Sequence, residues 1–281
     1  MNRARRRICA ALALSALPAA GRAESGALAI GLFPNLPARK LHELYQPMAE
    51  YLAQQLGRPV RLYSAKDFRA FYQATRNNQF DVVVTAPNLA WLAMVESGYR
   101  PLTTFTNQVT GVVIVRRDSG IVSVANCLGK TVALVDPLSI VSQLGQAYFK
   151  SVGLAANVDY RVVTYNNHAN AALAVVIDNA DCAVIGHLPF RQMALEVQAK
   201  LHIIGETAAV PSQFFMANPK VTAILFNQIQ TALIRFNHVR SGTAFIHAHH
   251  SGAIIAANSA ALAAVQPYAL VTRALLRQEA K

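Results

Sequence analysis

The chain has 281 residues, 26 Lys and Arg against 14 Asp and Glu, and 53% hydrophobic residues. Five of the arginines and none of the acids fall in the first 23 residues, so the remainder carries 21 basic and 14 acidic residues, a net +7 instead of +12. Those charges are scattered without a Lys/Arg run, which excludes nucleic-acid binding and leaves a mildly basic surface suited to small anions.

The N-terminus reads as a targeting segment. Arg3, Arg5, Arg6 and Arg7 precede an apolar run from Ile8 to Ala20, and Gly21-Arg22-Ala23 offers small residues for cleavage after Ala23. This is the pattern of a secretory signal peptide. The run is too short to span a bilayer, and Cys9 lies near its start, not at its end, which argues against a lipoprotein. A mature chain of about 258 residues, with no second long apolar segment, is expected in the periplasm and is long enough for two domains. Two cysteines remain, Cys127 and Cys182. An even pair in an exported protein predicts one disulfide, closing a loop between two strands of one sheet.

In chain order, Leu28–Leu32 reads as a strand, followed by a Pro-rich turn. Apolar residues at helical spacing from Leu41 to Leu56 stop at Gly57. Pro59–Tyr63 is the next strand, and Asp67 can cap a helix through Arg76 that carries Phe68, Phe71 and Tyr72. Phe80–Val84 is a third, buried strand, with a helix over Leu89–Ser97. Strands at Leu102–Phe105 and Val109–Val115 follow, and then a second series. Its strands are Thr131–Val135, Tyr160–Thr164 and Cys182–Ile185, and its helices are Ser142–Ser151 and Asn170–Asp178. Ile203–Gly205 and Pro211–Ala217 read as strands. Helices near Val221–Val239, Gly242–His249, Asn258–Ala264 and Tyr268–Gln278 close the chain. No internal repeat is visible.

This order predicts an α/β fold of two lobes, each a mostly parallel sheet flanked by helices. The expected division is residues 1–23 as signal peptide, 24–106 plus 212–281 as lobe 1, and 107–211 as lobe 2 with the two crossover segments. A cleft between two such lobes collects strand ends and helix N-termini and is a ligand site by geometry.

The stretch Gly129–Ser142 carries most of the functional signal. The apolar, β-branched strand Thr131–Val135 is broken by Asp136-Pro137, and either Ser139 or Ser142 can cap the helix that follows. Such a helix N-terminus presents free N–H groups to an anion or polar ligand. Further candidates sit at helix starts or just past strand ends: Phe68, Asn88, Asn167, His168 and His187. Asn88 and Asn167 can cap or bind; His168 can donate to a ligand oxygen. His247, His249 and His250 suggest a metal cluster, but no carboxylate or Cys lies near them in sequence to complete one, so no metal site is expected. No Gly-x-Ser-x-Gly, His-Glu-x-x-His or Walker loop is present, so no enzyme and no cofactor are expected.

Several segments, taken in order, resemble the periplasmic phosphate/phosphite/phosphonate-binding proteins of ABC transporters, which have a type II periplasmic binding fold. They are Gly31-Leu32-Phe33-Pro34, Leu52 to Val60, Phe80-Asp81-Val82-Val83, Ser97 to Leu102, Arg117-Asp118-Ser119-Gly120, Leu128 to Ala133 with Asp136-Pro137 and Ser139, and His168 to Leu173 followed by Asp181. The resemblance implies an oxyanion held by a Ser-Thr-Ser run, by a His opening a later helix, and by Tyr side chains of the first lobe. Ser139 matches the first Ser and His168 the His. Ile140 and Val141 stand where Thr and the second Ser are expected, with Ser142 one place beyond, and Phe68 stands at a usual Tyr. The expected partners are a small, anionic molecule and an ABC permease, or in the alternative a sensor kinase, with the protein acting as a monomer.

Overall fold

The computed structural model describes residues 26–257 and 259–278, so the signal peptide read over residues 1–23 lies outside the described residues. The chain begins β1 (Leu28–Leu32), α1 (Ala38–Leu56), β2 (Val60–Tyr63), α2 (Phe68–Arg76), β3 (Val82–Thr85), α3 (Pro87–Ser97) and β4 (Arg100–Phe105). A short β5 (Gln108–Val109) leads to β6 (Gly111–Arg116), a 3-10 turn (Val124–Cys127), β7 (Thr131–Leu134), α4 (Ile140–Ser151), β8 (Arg161–Thr164) and α5 (His168–Val176). Then come β9 (Cys182–Gly186), α6 (His187–Arg191), α7 (Leu195–Lys200), β10 (Leu201–Glu206), β11 (Val210–Pro211) and β12 (Phe214–Ala217). The chain ends with α8 (Ala223–Phe236), α9 (Arg240–His249), β13 (Ile254–Ala256), α10 (Ser259–Ala263) and α11 (Gln266–Gln278).

Two larger sheets organise these elements. The first has the order β13-β4-β12-β3-β1-β2, the second β10-β6-β9-β7-β8. In each, a parallel trio lies at one side: β1 pairs with β2 and β3, and β7 with β8 and β9. Strands that run against these trios are β12 and β13 in the first sheet and β6 in the second, while β4 and β10, antiparallel to β12 and β6, run with the trios. The parallel regions are therefore extended by antiparallel strands. The two chain segments between the sheets pair with each other as the antiparallel ribbon β5–β11.

The period of two along each strand explains the layering. Val82 and Val84 pack with α1, α8 and α9 through Leu41, Met48, Leu233 and Phe245, while Val83 faces the opposite cluster with Phe71 and Leu92. In the second sheet Ala133 and Ile185 pack with Ala171 and Val175 of α5, while Val132, Leu134 and Val184 face α4. That last cluster runs on without a break into the first lobe. Close approach of α4 depends on Gly145, where a Cβ would lie 2.6 Å from Val184 Cγ1. Helix α1 stops where Gly57 adopts φ +61°, the left-handed conformation glycine takes without strain.

The structure reveals a repeat that the sequence conceals. The series β1-α1-β2-α2-β3-α3 is built again as β7-α4-β8-α5-β9-α6. Asp81, just before β3, accepts from the Ala29 amide (2.8 Å) and donates its own amide to the Ala29 carbonyl (2.9 Å). Asp181, just before β9, does the same with Thr131 at 2.8 and 2.9 Å. Asp67 caps α2 by accepting from Ala70 N, and Asn167 caps α5 by accepting from Asn170 N.

Some expected boundaries change. The segment Pro211–Ala217 divides into β11 and β12, β13 is an additional strand, and α5 starts at His168, before the expected Asn170. Ser142 does not cap α4. It is the third residue of the helix, fully buried, and its hydroxyl donates to the Val135 carbonyl at 3.0 Å.

Candidate ligand-binding cleft

The repeat fixes which residues are equivalent at the ends of the parallel strands. Phe68 opens α2 after β2, and His168 opens α5 after β8, each directly behind its capping residue. They hold the same station in the two lobes. Phe68 is half-buried and stacks on Phe33, with ring centroids 4.3 Å apart. Phe33, in the turn after β1, is a residue that the sequence reading did not single out. Phe71 and Tyr72 of the same helix turn into the core, and the Tyr72 hydroxyl donates to Glu96 at 2.6 Å.

His168 is half-buried, and its Nδ1 accepts from the Gly186 amide at 3.3 Å. The neutral ring then carries its proton on Nε2, which makes that nitrogen a hydrogen-bond donor. Burial pushes the imidazole down to about 4, so at neutral pH His168 acts as an uncharged donor. Asn167 is exposed and its side-chain oxygen is taken by the cap, so capping is the role the structure records for it. His187 opens α6; its Nδ1 lies 3.0 Å from Glu206 Oε1, and its amide donates to the Thr110 carbonyl beside the connecting ribbon.

The turn between β7 and α4 is shaped by Asp136, whose side chain accepts from Leu138 N at 2.7 Å and whose carbonyl accepts from Ser139 N at 2.9 Å. Ser139 is the N-cap residue of α4, yet its hydroxyl makes no capping bond. Among the described residues, the amides of Ile140, Val141 and Ser142 make no hydrogen bond. They are the donors a helix start leaves open. The side chains of Ile140 and Val141 are 6% and 5% exposed and belong to the apolar cluster that joins the lobes. Asn88, at the start of α3 and 0% exposed, reaches across and donates to the Leu138 carbonyl at 2.9 Å. The helix starts of α3 and α4, one from each lobe, thus face each other.

The sequence matches the family described as ABC transporter, phosphonate, periplasmic substrate-binding protein, over residues 30–262. The chain belongs to that family. This phosphonate-family protein is therefore a periplasmic substrate-binding component of an ABC transporter and not an enzyme. Its fold is similar to that of a protein from Xanthomonas citri bound to chloride ion, with 18% identity, a TM-score of 0.78, and coverage of 90% of this chain and 99% of that one. It is similar to PhnD1 from Prochlorococcus marinus in complex with methylphosphonate, at 12% identity and a TM-score of 0.78, covering 89% of this chain and 98% of that one. It is also similar to a binding protein component of an ABC phosphonate transporter from Pseudomonas aeruginosa, at 17% identity and a TM-score of 0.75, covering 88% and 86%. These likenesses are to the type II periplasmic binding fold.

Two other groups in the periplasmic binding protein are placed by the structure. Cys127 and Cys182 are fully buried with their sulfurs 2.8 Å apart, but the structure carries them as free thiols and not as the bridge expected from the sequence. Their neighbourhood follows from register, because Cys182 pairs with Val132 on β7, five positions past the turn that ends in Cys127. Of the late histidines, His249 is drawn inside against Phe105, Phe245 and Tyr45, whereas His247 and His250 are exposed. Their separation by burial gives the trio no common face.

Proposed function

We propose that this binding protein captures a small oxyanion of phosphonate or phosphate type in the interlobe cleft, as a monomer, and delivers it to an ABC permease. The observation that carries this reading is the start of α4. It presents the unpaired amides of Ile140, Val141 and Ser142 beside a Ser139 hydroxyl that makes no capping bond. An oxyanion fits that array because amides and the helix dipole favour negative charge. His168 adds a neutral donor from the equivalent station of the second parallel loop, and the Phe33–Phe68 pair supplies an apolar wall for an organic substituent. Ile140 and Val141 replace hydroxyl donors with buried hydrocarbon, so recognition rests on backbone amides more than on side chains.

A thermal-shift screen of the mature protein with phosphate, phosphite, methylphosphonate, sulfate and small carboxylates tests this. A ligand at 100 times its dissociation constant adds about 2.7 kcal/mol of stability. Stabilisation by a phosphorus oxyanion, reduced in Ser139→Ala, supports the reading. Stabilisation by none of the oxyanions overturns it.

A further inference from the structure

The two lobes are joined by a buried polar network centred on a residue far along the chain from every sequence candidate. Thr272, on the C-terminal helix α11, is 0% exposed, as is Asn88, and Gln143 is 4% exposed. The Thr272 hydroxyl donates to the Tyr268 carbonyl one turn back, at 3.0 Å. Its two lone pairs accept from Asn88 Nδ2 at 2.8 Å and from Gln143 Nε2 at 2.7 Å. The remaining hydrogen of each amide goes to the β7–α4 turn: Asn88 donates to the Leu138 carbonyl at 2.9 Å and Gln143 to the Pro137 carbonyl at 3.2 Å. Those two carbonyls fix the orientation of both amides, since a flipped amide would set oxygen against oxygen. Every donor in the network is used.

Two of these bonds cross between lobes. Asn88 belongs to α3, which packs on the first sheet, Thr272 to α11, which packs chiefly on α3, and Gln143 and Leu138 to the second lobe. The network also has a built-in cost. Asn88 Oδ1 and Gln143 Oε1 are buried and have no hydrogen-bond partner among the described residues. In an open form both amides would meet water and regain those bonds. Closure thus gains two interlobe bonds and the burial of Leu138 and Ala269 in the shared cluster, and forfeits two solvated acceptors. Opposed contributions of this kind make a closed state that is populated but reversible.

We propose that Thr272 is the keystone of an interlobe latch that by itself stabilises the closed arrangement of the two lobes. It is a positioning residue: it sets the distance between the α3 and α4 starts without itself belonging to the anion-binding amides. The inference rests on the two-lobed fold and not on which ligand the cleft takes.

Small-angle X-ray scattering on the mature protein, freed of any carried-over ligand by unfolding and refolding, tests it without a ligand. Wild type and Thr272→Ser, which keeps the hydroxyl, are expected to scatter as the closed form. Thr272→Val keeps the shape and removes the oxygen, and is expected to show a larger radius of gyration at an unchanged far-ultraviolet circular dichroism spectrum. Gln143→Leu removes the second-lobe arm and should open the protein in the same way, which keeps the test decisive if the valine variant does not fold. A wild type already as expanded as the variants, or variants as compact as the wild type, overturns the latch. Failure of the oxyanion screen alone would leave the latch standing, and the reverse also holds.

Discussion

Acidification should destabilise this protein through His249 by an amount that the structure allows us to work out. The Tyr45 hydroxyl donates to Gln213 Oε1 at 3.1 Å, so at its 3.0 Å contact with His249 it must accept, and His249 Nε2 carries the proton. Nδ1 is buried with no hydrogen-bond partner among the described residues, and the ring packs against Phe105 and Phe245 with centroids 4.9 and 5.2 Å away. Protonating Nδ1 would place a charge there with nothing to accept it. Burial, and to a lesser degree His250, lower the imidazole from 6.5 to about 4. In the unfolded chain the ring takes up its proton as the pH falls through 6.5, while the folded protein does not follow until about 4. The unfolded state therefore binds more protons across that window, and stability is lost as the pH falls through it and is fully present above it. The loss from one such ring is about 2 kcal/mol at pH 5 and about 3 kcal/mol at pH 4. His168, lowered to the same extent by burial, adds a similar amount. Urea unfolding at pH 7.5 and pH 5 should show wild type losing about 4 kcal/mol from the two rings. His249→Phe, whose ring suits the aromatic surroundings, should lose about 2 kcal/mol less than wild type over the same interval. Equal losses in wild type and His249→Phe would refute the reasoning.

Other outcomes follow from single contacts. In the oxidising periplasm Cys127 and Cys182 are expected to form a bond, and thiol titration of the denatured, unreduced protein should find none free; two free thiols per chain would show they stay reduced. Closing that loop is worth roughly 4 kcal/mol in the chain-entropy picture, measurable as a drop in urea midpoint on reduction. Gly145→Ala places a methyl 2.6 and 2.9 Å from the two Val184 methyls and should cost about 1–3 kcal/mol in chemical denaturation; a variant as stable as wild type would mean that α4 shifts freely. Asp181→Ala leaves the Thr131 amide without its acceptor and should cost about 1–3 kcal/mol, with Asp81→Ala matching it through Ala29. For an oxyanion that stabilises the protein, His168→Ala should weaken binding by about 1.5–3 kcal/mol in calorimetry, and unaltered affinity would remove His168 from the site.

Much of the architecture was legible because it is written in short-range patterns. The run Val82-Val83-Val84 between Asp81 and Pro87 announces a strand buried on both faces, and Asp67 and Asn167 announce helix starts; each signal lies within a few residues of its effect. The strand Ile254–Ala256 was not legible, since it is three residues long and two of them are exposed, which leaves no periodic signal. The repeat of the two lobes was hidden because it resides in hydrogen-bond geometry at Asp81 and Asp181, not in similar residues. The candidate site divides in the same way. Ser139 and His168 were visible from their places behind a broken strand and ahead of a helix. The true engagements of Asn88 and Ser142 were not, because either residue type can cap, bind or back-bond to a carbonyl.

By itself the sequence determined the two αβ series, the order of their strands and main helices, and a family membership that spans both lobes. Only the tertiary structure decided that β12 inserts between β3 and β4, that Cys127 and Cys182 touch, that His249 parts from its neighbours to enter the core, and that Thr272 meets Asn88 across 184 residues of chain. The physical reason is one of range. Periodicity and capping act over a turn or a strand pair and leave their mark locally, whereas burial of a hydroxyl or a ring depends on surfaces brought together from opposite ends of the chain, whose chemistry no local window contains.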